Sequence, residues 1–189
     1  MSYQILNTVC NASINMPVRE LDLPDWVFNL SDKEYQTCSK GHIAAGTSTH
    51  PDGTQTSVNV ETVGGNLLVQ HYVPEIAESD HLKLVSQTDL WLFRVWYVGV
   101  KVTWDLKLVP TSETTCEFQN SVVVEHKSIV MKVLTALALG GVFLKRHNEE
   151  ETPLFAESLA QRASVRLQAK SATHNPSKKE VQSSLNENG

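Results

Sequence analysis

Apolar and polar residues alternate through most of the middle of the chain, and a period of two marks a strand with one buried face. Val98 to Val109 is the clearest case: Val98, Val100, Val102, Trp104, Leu106 and Leu108 form an inner face against Lys101, Thr103, Asp105 and Lys107. The same pattern predicts a strand over Gln4 to Ile14, with Leu6, Thr8, Cys10, Ala12 and Ile14 on one side. Thr114 to Glu125 follows it, with Cys116, Phe118, Asn120, Val122 and Val124 inward. Thr54 to Thr62 sets Thr56, Val58 and Val60 against Ser57, Asn59 and Glu61; Gly64-Gly65 then turns the chain into Leu67 to Val73. Pro74 to Asp80 reads as a loop and His81 to Leu92 as a further strand. The small residues of His42 to Ser48 read as one more, ended by the Pro51-Asp52-Gly53 turn.

Helical periodicity is confined to two regions. Val18 to Leu30, broken by Pro24, predicts two short pieces that bury Trp26, Val27 and Leu30. Ser31 and Glu34 have capping-box spacing and open another short helix through Cys38, which Gly41 closes. Ser128 to Arg162 is different. Leu144, Asn148, Glu151, Phe155 and Leu159 step by three or four residues and share one helical face. That face is apolar at both ends and polar in the middle, which suits a long helix lying on a sheet with its middle looking into a cavity. Thr152-Pro153 offers an alternative N-cap and first position that would divide the stretch in two; a kink or restart near Pro153 is expected either way. Ile129 to Leu144 is shorter than the ~20 apolar residues of a membrane span and is interrupted by Lys132, so a buried helix is expected there. Ala163 to Gly189 is polar and aperiodic, which predicts one domain over 1–162 and a disordered tail over 163–189.

Composition narrows the function classes. The 189 residues suffice for one ordinary domain, and 41% hydrophobic with 20% charged is average for a globular chain. A net charge of -5 without a concentrated basic patch argues against nucleic acid. The first residues show neither a basic nor an apolar signal region, and the three cysteines are odd in number and scattered, so a reducing, cytoplasmic setting with free thiols is expected. None of the seven histidines pairs with another at helical spacing, and no glycine loop has a phosphate-binding pattern. Neither a metal nor another cofactor is expected. Homodimerisation is compatible with the sequence and not specified by it.

A strand, two or three short helices, about six more antiparallel strands and a long closing helix make an α+β chain. This order, together with the segment His147-Asn148-Glu149-Glu150-Glu151-Thr152-Pro153-Leu154-Phe155-Ala156, resembles the START-like (SRPBCC) superfamily. The resemblance implies a helix-grip fold, in which a curved sheet of six or seven strands wraps around the C-terminal helix. It also implies an apolar cavity holding a hydrophobic small molecule, in some members as a carrier and in others with chemistry.

Inward polar groups are the candidates for that chemistry. Strand parity puts Leu67, Val69, His71 and Val73 on one face, with Leu68 and Tyr72 blurring the assignment. Asn120 lies among inward apolar residues, and the helix contributes Asn148 and Glu151, with His147 one position away. His71 and Glu151 are therefore the expected proton-transfer groups, with Asn120 holding a carbonyl or enolate oxygen. Trp104, Phe118, Val69 and Val102, with Asn148 and His147, are the expected ligand contacts. Two plainer readings compete: an inward His or Asn is often a hydrogen-bonded core residue, and Glu149 to Glu151 could be a solvated first turn of a helix restarting at Pro153. Three functions remain in view. One is an enzyme performing cyclisation, dehydration or isomerisation on a polyketide- or terpenoid-like metabolite. The second is a non-catalytic carrier of a lipid or aromatic ligand, and the third a partner-binding domain with a vestigial cavity. Polar groups converging on one point favour the first, a wholly apolar cavity the second, and no cavity the third.

Overall fold

The structure, a computed structural model, describes residues 2–128, 130, 132, 133, 136, 137 and 141–174. Its strands are β1 (Tyr3–Ile14), β2 (His42–Thr49), β3 (Gln55–Val63), β4 (Asn66–Ala77), β5 (His81–Leu92), β6 (Trp96–Pro110) and β7 (Cys116–His126). They form one curved antiparallel sheet in the order β1-β7-β6-β5-β4-β3-β2. Between β1 and β2 come a 3-10 turn (Val18–Glu20) and two helices, α1 (Leu23–Val27) and α2 (Asp32–Cys38). The long helix α3 (Gly141–His174) packs mainly on β1 and also touches α1, α2, β3 and β7.

Local chemistry accounts for these elements. The Ser31 hydroxyl accepts from the Glu34 amide at 3.2 Å, as the capping box requires. Asp22 caps α1 by accepting from the Asp25 amide at 3.0 Å. Gly64 and Gly65 take φ of 58° and 84°, the positive values a tight hairpin needs. The core is the inner face of β6 with Leu82, Leu84 and Leu90 of β5, Phe118 of β7, Trp26 of α1 and Phe155 and Leu159 of α3, all buried.

Four expectations change. β4 continues through Pro74 to Ala77 instead of ending in a loop; the proline sits beyond the β3 pairing and beside a register shift, where its missing amide costs no ladder bond. α3 is continuous through Pro153, so no second helix starts there. It also runs on to His174, with Ala163 buried and Arg166 reaching Asp22 and the Glu20 carbonyl, so the boundary expected at 162 falls inside a docked helix. Residues 175–189 of the expected tail lie outside the described residues. Finally, among the described residues of the stretch expected as a buried helix, Val130, Val133, Leu137, Val142 and Phe143 are exposed and Leu144 is buried; apolar composition alone does not ensure burial. Residues 129, 131, 134, 135 and 138–140 lie outside the described residues. Among the described residues no helix is long and apolar enough to cross a membrane.

Candidate functional site

The inner wall of the sheet is apolar on β6 and polar on β3 and β4. On β3 the buried side chains include Ser57, Asn59, Glu61 and Val63, while Val58 and Val60 are less buried and face outward. Asn59 lies opposite Gln70, and Glu61 opposite Leu68, on β4. Across from this wall, α3 presents Leu144, His147, Asn148, Glu151 and Phe155. Between them is a cavity of about 30 Å³, also lined by Tyr35, Tyr72, Val102 and Trp104. That volume holds a water or an ion and is far below the ~300–1,000 Å³ of ordinary small-molecule sites.

Four ionisable groups converge at one end of it, with Glu61, His147 and Glu151 lining the cavity and His42 wholly buried beside them. His42 and Glu61 are direct partners across β2 and β3, and a register shift between His42 and Ala44 lets the imidazole point inward. His147 and Glu151 are one helical turn apart on α3. His42 Nε2 lies 3.0 Å from Glu151 Oε2 and 3.7 Å from Glu61 Oε2, while His147 Nε2 lies 3.1 Å from Glu61 Oε2 and 3.4 Å from Glu151 Oε2. Each group is held from behind. His42 Nδ1 is 2.7 Å from the Tyr35 carbonyl, and its ring stacks on the Tyr35 ring at 3.8 Å. His147 Nδ1 is 3.3 Å from Ser39 Oγ. The Tyr35 hydroxyl donates to Glu61 Oε2 at 3.2 Å, and Asn120 Nδ2 donates to Glu151 Oε1 at 3.1 Å.

For His147 and Glu151, burial favours the neutral form but is outweighed. Desolvation pulls His147 down, yet the Glu61 charge and hydrogen bonds to Glu151 and Glu61 hold it up at about 11. Desolvation pushes Glu151 up, yet bonds from His147 and His42 hold it well below the usual carboxylate range. Burial, then the charges of Glu61 and Glu151, keeps Tyr35 and Tyr72 well above the normal phenol value, so both remain neutral hydroxyls. The site is an imidazolium–carboxylate cluster with phenols and amides around it.

No protein-family model matches the sequence, and no curated protein matches it. Solved structures do. A START superfamily protein from Mycobacterium smegmatis superposes with a TM-score of 0.51 over 84% of this chain and 97% of its own, at 14% identity. The Zhui aromatase/cyclase from Streptomyces sp. R1128 superposes with a TM-score of 0.56 over 88% and 96%, at 7% identity. A conserved protein from Geobacillus kaustophilus gives 0.52 over 84% and 95%, at 12% identity. This chain has a START-like, helix-grip fold.

Within that fold the sequence-derived candidates separate. Glu151, Asn148, His147, Trp104 and Val102 line the cavity. Asn120 is fully buried just behind it, accepting from Trp104 Nε1 at 2.8 Å and donating to Glu151 and Thr152. Its amide is occupied by protein partners, so it positions Glu151 instead of meeting a ligand oxygen. Phe118 is core, packed edge-on against Trp26 at 6.1 Å. His71 and Val69 are corrections: both lie on the outer face of β4, and His71 is exposed. Residues Asn66, Leu68, Gln70 and Tyr72 face inward instead, because β4 must share its parity with the polar inner face of β3. The pattern of valines pointed the wrong way on both strands. Sequence reasoning also missed His42, Glu61 and Tyr35. The available signal was His147 and Glu151 at helical spacing, visible only when carboxylates are counted with histidines.

Proposed function

We propose that this protein binds a hydrophobic small metabolite between the sheet and α3 and acts on it by proton transfer, in a cyclisation, dehydration or isomerisation. The observation that carries the reading is the convergence of two imidazoles and two carboxylates at one end of a cavity whose walls also include the apolar side chains of Leu68, Val102, Trp104, Val122 and Phe155. A polyketide- or terpenoid-like substrate would lay its apolar body against those walls and direct a carbonyl or hydroxyl toward the cluster. Glu151 is then the proton acceptor and His147 the cation that stabilises negative charge developing on the substrate oxygen. Tyr35 and Tyr72, held neutral, supply further hydroxyls at the same wall. The fold supports the reading to this extent: an aromatase/cyclase is among the proteins that share it. Because the cavity is only about 30 Å³, binding includes a widening of the contact between α3 and the sheet.

The experiment incubates the protein with a metabolite extract of its native host and follows retained and converted compounds by mass. Wild type is expected to deplete one hydrophobic compound and form a product. Glu151→Gln keeps the shape and removes the proton acceptor, so it should retain the compound while conversion falls about 100-fold or more. Equal conversion by both would refute the role of Glu151. Retention without conversion by both would leave a carrier.

A further inference from the structure

We propose that His42, Glu61, His147 and Glu151 form a binding site for one divalent transition-metal cation of the zinc class. In a tetrahedral site with metal–ligand distances of about 2.0–2.1 Å, neighbouring ligand atoms lie about 3.3–3.4 Å apart. The four imidazole-to-carboxylate separations here are 3.0, 3.1, 3.4 and 3.7 Å, scattered about that edge, and all four atoms lie within 4.8 Å of one another. The side chains approach from β2, β3 and α3, so the atoms surround a point instead of lining a surface.

The surroundings are those of a ligand set. A metal-binding histidine typically donates its other ring nitrogen to a carbonyl, hydroxyl or carboxylate, which fixes the tautomer and aims the free lone pair. His42 Nδ1 faces the Tyr35 carbonyl at 2.7 Å, which leaves Nε2 for the centre. His147 Nδ1 faces Ser39 Oγ at 3.3 Å, with the same consequence. Glu151 gives one oxygen to Asn120 and turns the other inward. Stacking on Tyr35 holds the His42 ring in place, and its side chain is wholly buried. Two buried carboxylates need two positive charges, which either two imidazolium protons or one dication supplies. Two imidazoles with two carboxylates suit zinc, iron(II) or cobalt(II), and lack the soft sulfur that selects copper(I). The adjoining space of about 30 Å³ leaves room beside an ion for one small group.

The inference concerns the same four residues, with a bound ion taking the place of the imidazolium charge, and it rests on the proposed function only for the substrate; metal binding is tested without any. The tag-free full-length chain is freed of metal with a chelator and titrated with Zn²⁺ by calorimetry and with Co²⁺ by visible absorption. The expected result is one ion per chain, a tetrahedral cobalt spectrum, and a Tm rise of about 5–10 °C at 100-fold excess over Kd. Glu61→Gln, which preserves shape, and His147→Ala should each weaken binding about 100-fold or more. Their metal-free circular dichroism identifies any variant that has failed to fold, and Glu61→Gln then carries the comparison. No saturable heat, several weak ions per chain, or unchanged affinity in a folded variant would overturn the inference. Failure here leaves proton transfer by the imidazolium form standing, whereas metal binding without any retained hydrophobic compound would defeat the ligand reading alone.

Discussion

Asn120→Leu isolates the contact that holds Glu151 in place. Asn120 is fully buried, accepts the indole N–H of Trp104 at 2.8 Å, and donates to Glu151 Oε1 and Thr152 Oγ1, each at 3.1 Å. Leucine fills nearly the same space but offers no partner to either Trp104 or Glu151. A buried donor left unpaired costs about 1–3 kcal/mol, and a lost bond to a charged acceptor about 1.5–3 kcal/mol. The added apolar area offsets roughly 1 kcal/mol. The expected net loss is about 2–4 kcal/mol, or roughly 5–15 °C in Tm for a chain of this size. Urea denaturation with linear extrapolation measures it, provided the slope is unchanged. Trp104→Phe removes the indole donor, so Asn120→Leu in that background should cost about 1–2 kcal/mol less than alone. Stability within about 0.5 kcal/mol of wild type, or strictly additive losses in the double variant, would refute the network.

Three other perturbations test separate parts of the structure. A Cβ on Gly41 would sit 2.5 Å from the Thr62 carbonyl oxygen and 3.1 Å from the His147 ring, so Gly41→Ala should lower stability by about 1–3 kcal/mol in thermal melts and disturb the cluster. Truncation after Arg162 removes buried Ala163 and the Arg166 contacts to Asp22 and Glu20, so it should lower Tm by several degrees, about 2–4 °C per kcal/mol lost. The hydrogen bond from Arg162, with the charges of Arg162 and Arg166, holds the Asp25 carboxyl below its usual range. A depressed folded value means that the stabilisation is present above the ordinary carboxylate range and is lost as pH falls through the folded value. The stability gap between wild type and Asp25→Asn, measured by denaturant titration at each pH, should therefore close on acidification; a gap independent of pH would contradict the pairing.

Much of the fold was legible because the strands that pack on apolar neighbours follow simple alternation. β1, β6 and β7 emerge with the faces their hydrophobic residues indicate, and the capping box at Ser31 and the paired glycines at 64 and 65 do what their chemistry demands. The helix face from Leu144 to Leu159 was legible too, polar middle included. The site was only half legible, for a physical reason. Where a sheet lines a polar cluster, Asn, Gln, Ser and Glu join its inner face while Val58, Val60 and Val69 lie outside, so hydrophobic parity misleads on β3 and β4. His71 was misplaced by that pattern. Glu61 stood on the face that looked solvent-bound, and His42 lay in a run of small residues with no period, aimed inward by a register shift that no local pattern announces. Convergence of β2, β3 and α3 is a tertiary fact, and spacing along one segment does not contain it.

The central claim is that sheet and α3 enclose a polar-ended site for a hydrophobic small molecule. Native mass spectrometry of the full-length chain from its own host, paired with analysis of its organic extract, tests this most directly. The account predicts a mass increment from one apolar compound bearing a carbonyl or hydroxyl, diminished in Val102→Trp, which fills the wall beside Trp104. A bare polypeptide mass with nothing in the extract, or an increment unaffected by filling that wall, would contradict it.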